Sequence, residues 1–205
     1  MNYQELLIKD LKETDKKLYS KLNKEYKYDL VIFIAKGSYL IGKDFSDFNT
    51  CPLLEVTASR SGGKLKKILR PLLNLIPNKL KIYLRKKEMN SSVHSSNSNR
   101  NISFDENIWK KYKKCRKILL VDDSIDTGHS VLSAKLEIEK YFNNSEIKVA
   151  VLNYFEKAKD IFVPDYYLYK NTIIKGPWSN DSKENKKYLE KYYNWKEVKY
   201  KWNIP

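Results

Sequence analysis

The stretch Lys117-Ile118-Leu119-Leu120-Val121-Asp122-Asp123-Ser124-Ile125-Asp126-Thr127-Gly128-His129-Ser130 constrains this chain more than any other. A short apolar strand delivers two adjacent carboxylates, and a third follows. A Thr-Gly-His-Ser turn then leads into Val131, Leu132, Ala134, Leu136 and Ile138, which begin a helical pattern. Such a strand-loop-helix junction exposes unpaired backbone N–H groups at a helix start, where a phosphate is held well. The paired acids repel a phosphate but suit vicinal hydroxyls, as on a ribose. A sugar phosphate satisfies both halves. A calcium loop does not fit, because Thr127 stands where it needs Gly and Ser133 where it needs a bidentate Glu. A solvated turn capped by Asp or Thr stays open on these residues alone.

The surrounding pattern predicts an α/β domain with a mainly parallel sheet flanked by helices. Residues 2–26 carry Tyr3, Leu7, Leu11, Leu18, Leu22 and Tyr26 at helical spacing. Asp29 to Ala35 carries the continuous apolar run Leu30 to Ala35, as expected of a strand buried on both faces. It ends at Lys36-Gly37-Ser38, before a predicted helix from Leu40 to Phe48. Further strands are predicted at Cys51–Thr57, Lys117–Val121 and Ile147–Asn153, with a helix over 129–142 between the last two.

At 205 residues the chain is expected to form one domain, 1–205, with a basic insert at 60–116. That insert carries 17 Lys/Arg, counted through Lys117, against Glu88, Asp105 and Glu106. Nearly all of the net charge of +15 therefore arises there, which makes it a local surface feature and not a property of the whole protein. Within it, Leu65, Ile68, Leu69, Leu72, Leu73 and Ile76 form an apolar stripe beside Lys64, Lys66, Lys67 and Arg70. Pro77 breaks that stripe, and a Ser/Asn-rich tract runs from Asn90 to Asn101. His94 in that tract is expected at the surface. The N-terminal turns carry charges and read neither as a leader nor as a membrane span, which predicts a cytoplasmic protein. Cys51 and Cys115 form no metal-like pair and are expected to be reduced thiols.

Apolar strand, Asp-Asp-x-x-Asp-Thr-Gly-x-Ser and helix together resemble the phosphoribosyl pyrophosphate (PRPP) motif of type I phosphoribosyltransferases. Over roughly 27–58 and 117–180 the chain is most similar to their purine branch, the hypoxanthine and xanthine-guanine enzymes. The resemblance implies that Asp122 and Asp123 hold the ribose hydroxyls and Mg²⁺, directly or through water, and that Asp126 to Ser130 (with Thr127, Gly128 and His129) bind the 5-phosphate. It assigns Lys36, Gly37 and Ser38 to pyrophosphate, although Ser38 replaces the family's second Gly. Asp126 matches the carboxylate facing the acceptor and can act as general base. Thr57-Ala58-Ser59-Arg60 stands where the family has a flexible loop, which assigns Ser59 and Arg60 to it. On the acceptor side the counterparts are Lys157, Ile173, Ile174 and Trp178, the last within a Pro177-Trp178 pair. A solvated lysine accounts equally well for Lys157, and core packing for Ile173 and Trp178. Whether His129 meets a ligand through its ring or its backbone is left open.

The implied activity is a PRPP-dependent pentosyl transfer that releases pyrophosphate, with a purine base as the first acceptor and a place in nucleotide salvage. A glycan hydroxyl in surface-polysaccharide synthesis is the alternative, since the cationic amphipathic segment 64–87 suits an anionic membrane face or a partner. A PRPP-sensing regulator that binds nucleic acid ranks third, suggested by basic residues interleaved with Tyr and Trp in 186–202. Absence of a helix-turn-helix or zinc module counts against it, and nucleic acid is not an expected partner. A homo-oligomer is expected.

Overall fold

The computed structural model describes residues 2–60 and 100–201. They form eight strands: β1 (Asn2–Glu5), β2 (Leu30–Ala35), β3 (Leu53–Arg60), β4 (Arg100–Ser103), β5 (Lys117–Ile125), β6 (Glu146–Tyr154), β7 (Tyr166–Lys170) and β8 (Thr172–Lys175). The helices are α1 (Ile8–Leu22), α2 (Tyr39–Asn49), α3 (Glu106–Lys110), α4 (His129–Tyr141) and α5 (Asn185–Lys201). Six strands make one sheet in the order β4-β3-β2-β5-β6-β7, parallel throughout except for the β3/β4 pair. β1 and β8 form a separate parallel pair.

β2 covers the predicted run without Asp29, because its sequence, LVIFIA, is apolar at every position and buried at all but the last. Alternate residues serve opposite faces. Leu30, Ile32, Leu54, Leu120 and Val149 pack with Val131, Ala134 and Ile138 of α4. Val31, Phe33, Leu119 and Leu152 pack with residues of α1, α2 and α5. Helices thus cover both faces, as a parallel sheet requires.

Three expectations change. The helical pattern of residues 2–26 begins only at Ile8, because residues 2–5 extend along β8 with Tyr3 opposite Ile173. Backbone pairing overrides spacing there. Tyr26 is buried outside the helix, and its hydroxyl donates to the Glu146 carbonyl at 2.8 Å. Ser59 and Arg60, expected at the start of a flexible loop, are themselves in a strand. They close β3, opposite Asn101 and Arg100 of β4, so their backbone is held in an antiparallel ladder. The end of the basic segment is also integrated into the domain. Trp109 of α3 is 1% exposed and stacks on Phe104 at a centroid distance of 3.9 Å. Aromatic pairs of this kind contribute about 0.5–1.5 kcal/mol beyond their buried area. The apolar stripe at 65–76, His94 and most of the Ser/Asn tract lie outside the described residues. Among the described residues no helix is long and apolar enough to cross a membrane.

Candidate active site

β2 and β5 pair only from Leu30↔Ile118 to Phe33↔Val121, while β5 continues beside β6 to Ile125↔Tyr154. Past Val121, β5 has lost its β2 neighbour, and a crevice opens at the carboxyl ends of the two strands. β2 connects outward to β3 on one side, and β5 to β6 on the other. This is the topological switch point where open α/β sheets take ligands.

The first wall is the turn after β2. The Ala35–Lys36 peptide is cis. Ser38 is fully buried, and its hydroxyl donates to the Ile34 carbonyl at 2.5 Å. Gly37 lies so close to β5 that a Cβ there would sit 2.7 Å from Asp123 Oδ1. The missing side chain is what lets the Lys36-Gly37-Ser38 turn touch the acid pair. The Lys36 ammonium donates to the Tyr193 hydroxyl and lies 4.7 Å from that ring's centroid.

The second wall is the acid pair, which the structure places inside β5 and not in the loop after it. Asp122 is 7% exposed, and its Oδ1 accepts from the Asp123 N–H at 2.9 Å. Burial, followed by the neighbouring Asp123 charge, pushes the Asp122 carboxyl well above the usual carboxylate range. Burial is also the main cause for Asp123, which is raised too. Hydrogen bonding to Asp122 and to the Trp178 side chain opposes that rise, and the Asp126 charge adds to it. Adjacent carboxylates this poorly hydrated do not both ionise without a cation or hydroxyl donors to face. A hard divalent ion fits this donor set. Among the described residues no third His, Cys, Asp or Glu completes a protein-only cluster, whereas Mg²⁺ is commonly held by one or two carboxylates plus substrate oxygens.

The third wall is the α4 N-terminus. Gly128 precedes the helix at φ +84°, and a Cβ there would meet Phe162 and Ile161 at 3.0 and 3.1 Å. Around this turn is a cavity of about 90 Å³ lined by Asp122, Ser124, Asp126, Thr127, Gly128, Ser130 and Arg100. A single water needs only about 10–15 Å³, so the cavity has room for a phosphate group. Arg100 Nε–H donates to Ser130 Oγ at 3.2 Å. Its guanidinium places a cation beside the helix N-terminus, where both favour an anion. Asp126 is exposed, and its Oδ1 accepts from Ser124 Oγ at 3.1 Å. Ser124 also accepts from the buried Asn153 amide at 3.2 Å, and Asn153 Oδ1 takes the Thr172 N–H. His129 is the first residue of α4 and is half-buried.

The expected acceptor residues divide. Trp178 is drawn to the acid pair, packing edge-on against Tyr188 at 6.2 Å, and the absence of a side chain at Gly176 makes room for its ring. Lys157 sits on the 3₁₀ turn Glu156–Ala158 after β6, with its ammonium 6.0 Å from the Phe155 ring centroid. Ile173 is 7% exposed in β8 and Ile174 is half-buried, so both serve packing in this conformation. Arg100, Asn153, Tyr188 and Tyr193 complete the site without having been singled out from the sequence. Arg100 lay hidden at the end of a Ser/Asn tract, and the tyrosines among many lysines.

No family model matches the sequence, and no curated protein matches it. Solved structures do. A purine phosphoribosyltransferase from Pyrococcus horikoshii superposes with a TM-score of 0.56 at 22% identity, over 88% of this chain and 96% of that one. The xanthine-guanine-hypoxanthine phosphoribosyltransferase of Helicobacter pylori gives 0.61 at 13% identity, over 91% and 99%. A Neisseria gonorrhoeae protein solved with bound ppGpp gives 0.58 at 16%, over 92% and 94%. With its switch-point crevice, its Asp-Asp strand end and its separate β1–β8 pair, the chain has the fold of the type I phosphoribosyltransferases.

Proposed function

We propose that the protein transfers the 5-phosphoribosyl group of PRPP to a purine base and releases pyrophosphate. The approach of Gly37 to Asp123 carries this reading. It joins the pyrophosphate turn to the ribose acids at the mouth of a phosphate-sized cavity. The 5-phosphate enters that cavity, taken by the Thr127–Ser130 turn and by Arg100. Asp122 and Asp123 accept from the ribose hydroxyls. Lys36, Gly37 and Ser38 take the pyrophosphate end, Lys36 with charge and the turn with its backbone.

In the reaction the C1–O bond to pyrophosphate breaks and a C1–N bond to the purine forms. The transition state has oxocarbenium character, so no protein nucleophile is needed. Catalysis rests on alignment and on charge placed where the leaving group develops it. Asp122 and Asp123 would hold Mg²⁺, which would supply further positive charge for the leaving diphosphate. Asp126, exposed at the mouth of the crevice, receives the proton that the acceptor nitrogen gives up. Trp178 beside Asp123 offers the purine a ring edge, and Lys157 a cation for an oxo group. The names of the Pyrococcus and Helicobacter neighbours support a purine acceptor.

The test is incubation with PRPP, Mg²⁺ and a panel of hypoxanthine, guanine, xanthine and adenine, following pyrophosphate and nucleoside monophosphate. Release with at least one base is expected. Asp126→Asn should lower kcat by about 10²–10⁴-fold while sparing PRPP binding. Release with a saccharide acceptor but with no base would overturn the purine reading.

A further inference from the structure

Helix α5 crosses the turn that the proposed reaction uses for pyrophosphate. Tyr188 is fully buried on it, and its hydroxyl oxygen lies 2.6 Å from the Lys36 carbonyl and 2.7 Å from the Gly37 carbonyl. The same oxygen accepts from the Tyr39 N–H at 3.2 Å. One phenol thus spans the turn from the end of β2 to the start of α2. Its single proton is shared between two carbonyls, while a lone pair takes an amide. The Tyr188 ring is clamped edge-on by Tyr39 at 6.3 Å and by Trp178 at 6.2 Å.

The start of α5 is itself anchored. The Glu184 carboxylate accepts from the Ile8 N–H at 2.6 Å, and the Asn185 amide donates to the Pro177 and Trp178 carbonyls at 3.3 and 3.1 Å. Burial pushes the Tyr188 phenol well above its ordinary range, so it remains a donor at any working pH.

Resting on the function proposed above, we infer that Tyr188 is a positioning residue for the pyrophosphate half of the donor. With its carbonyls tied back to Tyr188, the 36–38 turn directs its polar backbone in one fixed orientation. The carbonyl oxygens, which would repel a diphosphate, are held by the helix. The 5-phosphate half of the site, built on β5, α4 and Arg100, has no bond to Tyr188 among those described. The inference therefore predicts an asymmetric effect within a single substrate.

Tyr188→Phe keeps the ring and its packing and removes only the hydroxyl. Losing one hydroxyl's hydrogen bonds falls well short of unfolding a typical domain. Full-length wild type, Tyr188→Phe and Tyr192→Phe are titrated with two probes in Mg²⁺, PRPP and ribose 5-phosphate. Tyr192 is one turn further along α5, and its hydroxyl bonds Glu55 at 2.9 Å instead of the turn. Tyr188→Phe should weaken PRPP by on the order of tenfold and leave ribose 5-phosphate nearly unchanged, with faster hydrogen exchange at the Tyr39 amide. Tyr192→Phe should leave the ratio of the two affinities at the wild-type value. Equal weakening of both probes by Tyr188→Phe, no weakening of either, or the same change of ratio in Tyr192→Phe would overturn the inference and leave the parent reading intact. Failure of wild type to bind PRPP would overturn both, and that result is read before any variant is compared.

Discussion

Gly37→Ala is the sharpest perturbation of the site, because it adds one methyl group at a place where the structure measures the space. The new Cβ would lie 2.7 Å from Asp123 Oδ1 and 3.1 Å from Cγ. Favourable carbon contacts begin near about 3.5 Å, so the turn and the carboxylate must separate by roughly half an ångström. Gly37 does not have positive φ, so the backbone accepts alanine and only the space is tested. Misplacement of about 1 Å can cost 10²-fold in rate. Half of that should lower kcat/KM for PRPP by roughly tenfold or somewhat more, about 1.4 kcal/mol or above in the barrier. Pyrophosphate release at subsaturating PRPP reads this directly. Stability supplies a second readout that is independent of function, since overpacking costs about 1–3 kcal/mol. In an Asp123→Ala background the clash partner is gone, and Gly37→Ala should cost at least about 0.5 kcal/mol less. An alanine variant with wild-type kcat/KM, and the same stability cost in both backgrounds, would refute the claim that Gly37 is required by its approach to Asp123.

Arg100→Ala should raise the KM for PRPP by roughly ten- to hundredfold with kcat little changed, since a hydrogen bond to a charged group contributes about 1.5–3 kcal/mol; steady-state kinetics with an unaltered KM would remove Arg100 from the phosphate site. Away from the crevice, Asp15 of α1 is fully buried, and neither oxygen has a conventional donor; its polar neighbour is Asp44 of α2. Two acceptors in contact attract only while one carries a proton, and burial followed by the Asp44 charge holds the Asp15 carboxyl well above its ordinary range. The folded state then binds that proton more tightly than the unfolded chain. Stability is highest below the ordinary carboxylate range and falls as pH rises through the folded value. Lys12 and Lys43 face Asp44 and temper this, while Asp47 adds to it. Asp15→Asn, whose amide can donate to an ionised Asp44, should raise Tm at neutral pH by a few degrees, for roughly 1 kcal/mol in a domain of this size, and should flatten its fall from pH 5 to 8. An unchanged slope in thermal melts across that range would contradict the assignment.

What could be read in the sequence and what could not divide along one physical line. β2 was legible residue by residue, because a strand buried on both faces is written as an unbroken apolar run. The acid pair and the Gly128 turn were legible because a strand end, its turn and the helix that follows are contiguous residues. The missed groups arrive by pairing and packing across long chain separations. Arg100 reaches Ser130 from 30 positions away, on a strand that exists only because β3 pairs with it. Tyr188 meets Lys36 across 152 positions. Its helix has Tyr188, Tyr192 and Trp195 on one face at i, i+4 and i+7, yet the intervening lysines make the segment read as a basic, aromatic stretch suited to nucleic acid. β1 failed in the opposite sense: Tyr3 and Leu7 fit a helical spacing, but residues 2–5 pair with β8 instead.

That division has a consequence for the chemistry. Under the proposed function, the locally encoded parts of the crevice, Asp122 to Ser130, take the half of PRPP that keeps its bonds during the reaction, the ribose 5-phosphate. The half that departs is met by Lys36, whose ammonium rests on Tyr193, and by a turn whose carbonyls hang from Tyr188. Both tyrosines belong to the last helix of the chain. On that proposal, substrate retention is written largely into a motif, joined by Arg100, and leaving-group stabilisation leans on tertiary packing. Changes in α5 should tune pyrophosphate departure with little effect on recognition of the sugar phosphate, which the proposal assigns to Asp122, Asp123, Arg100 and the Thr127–Ser130 turn.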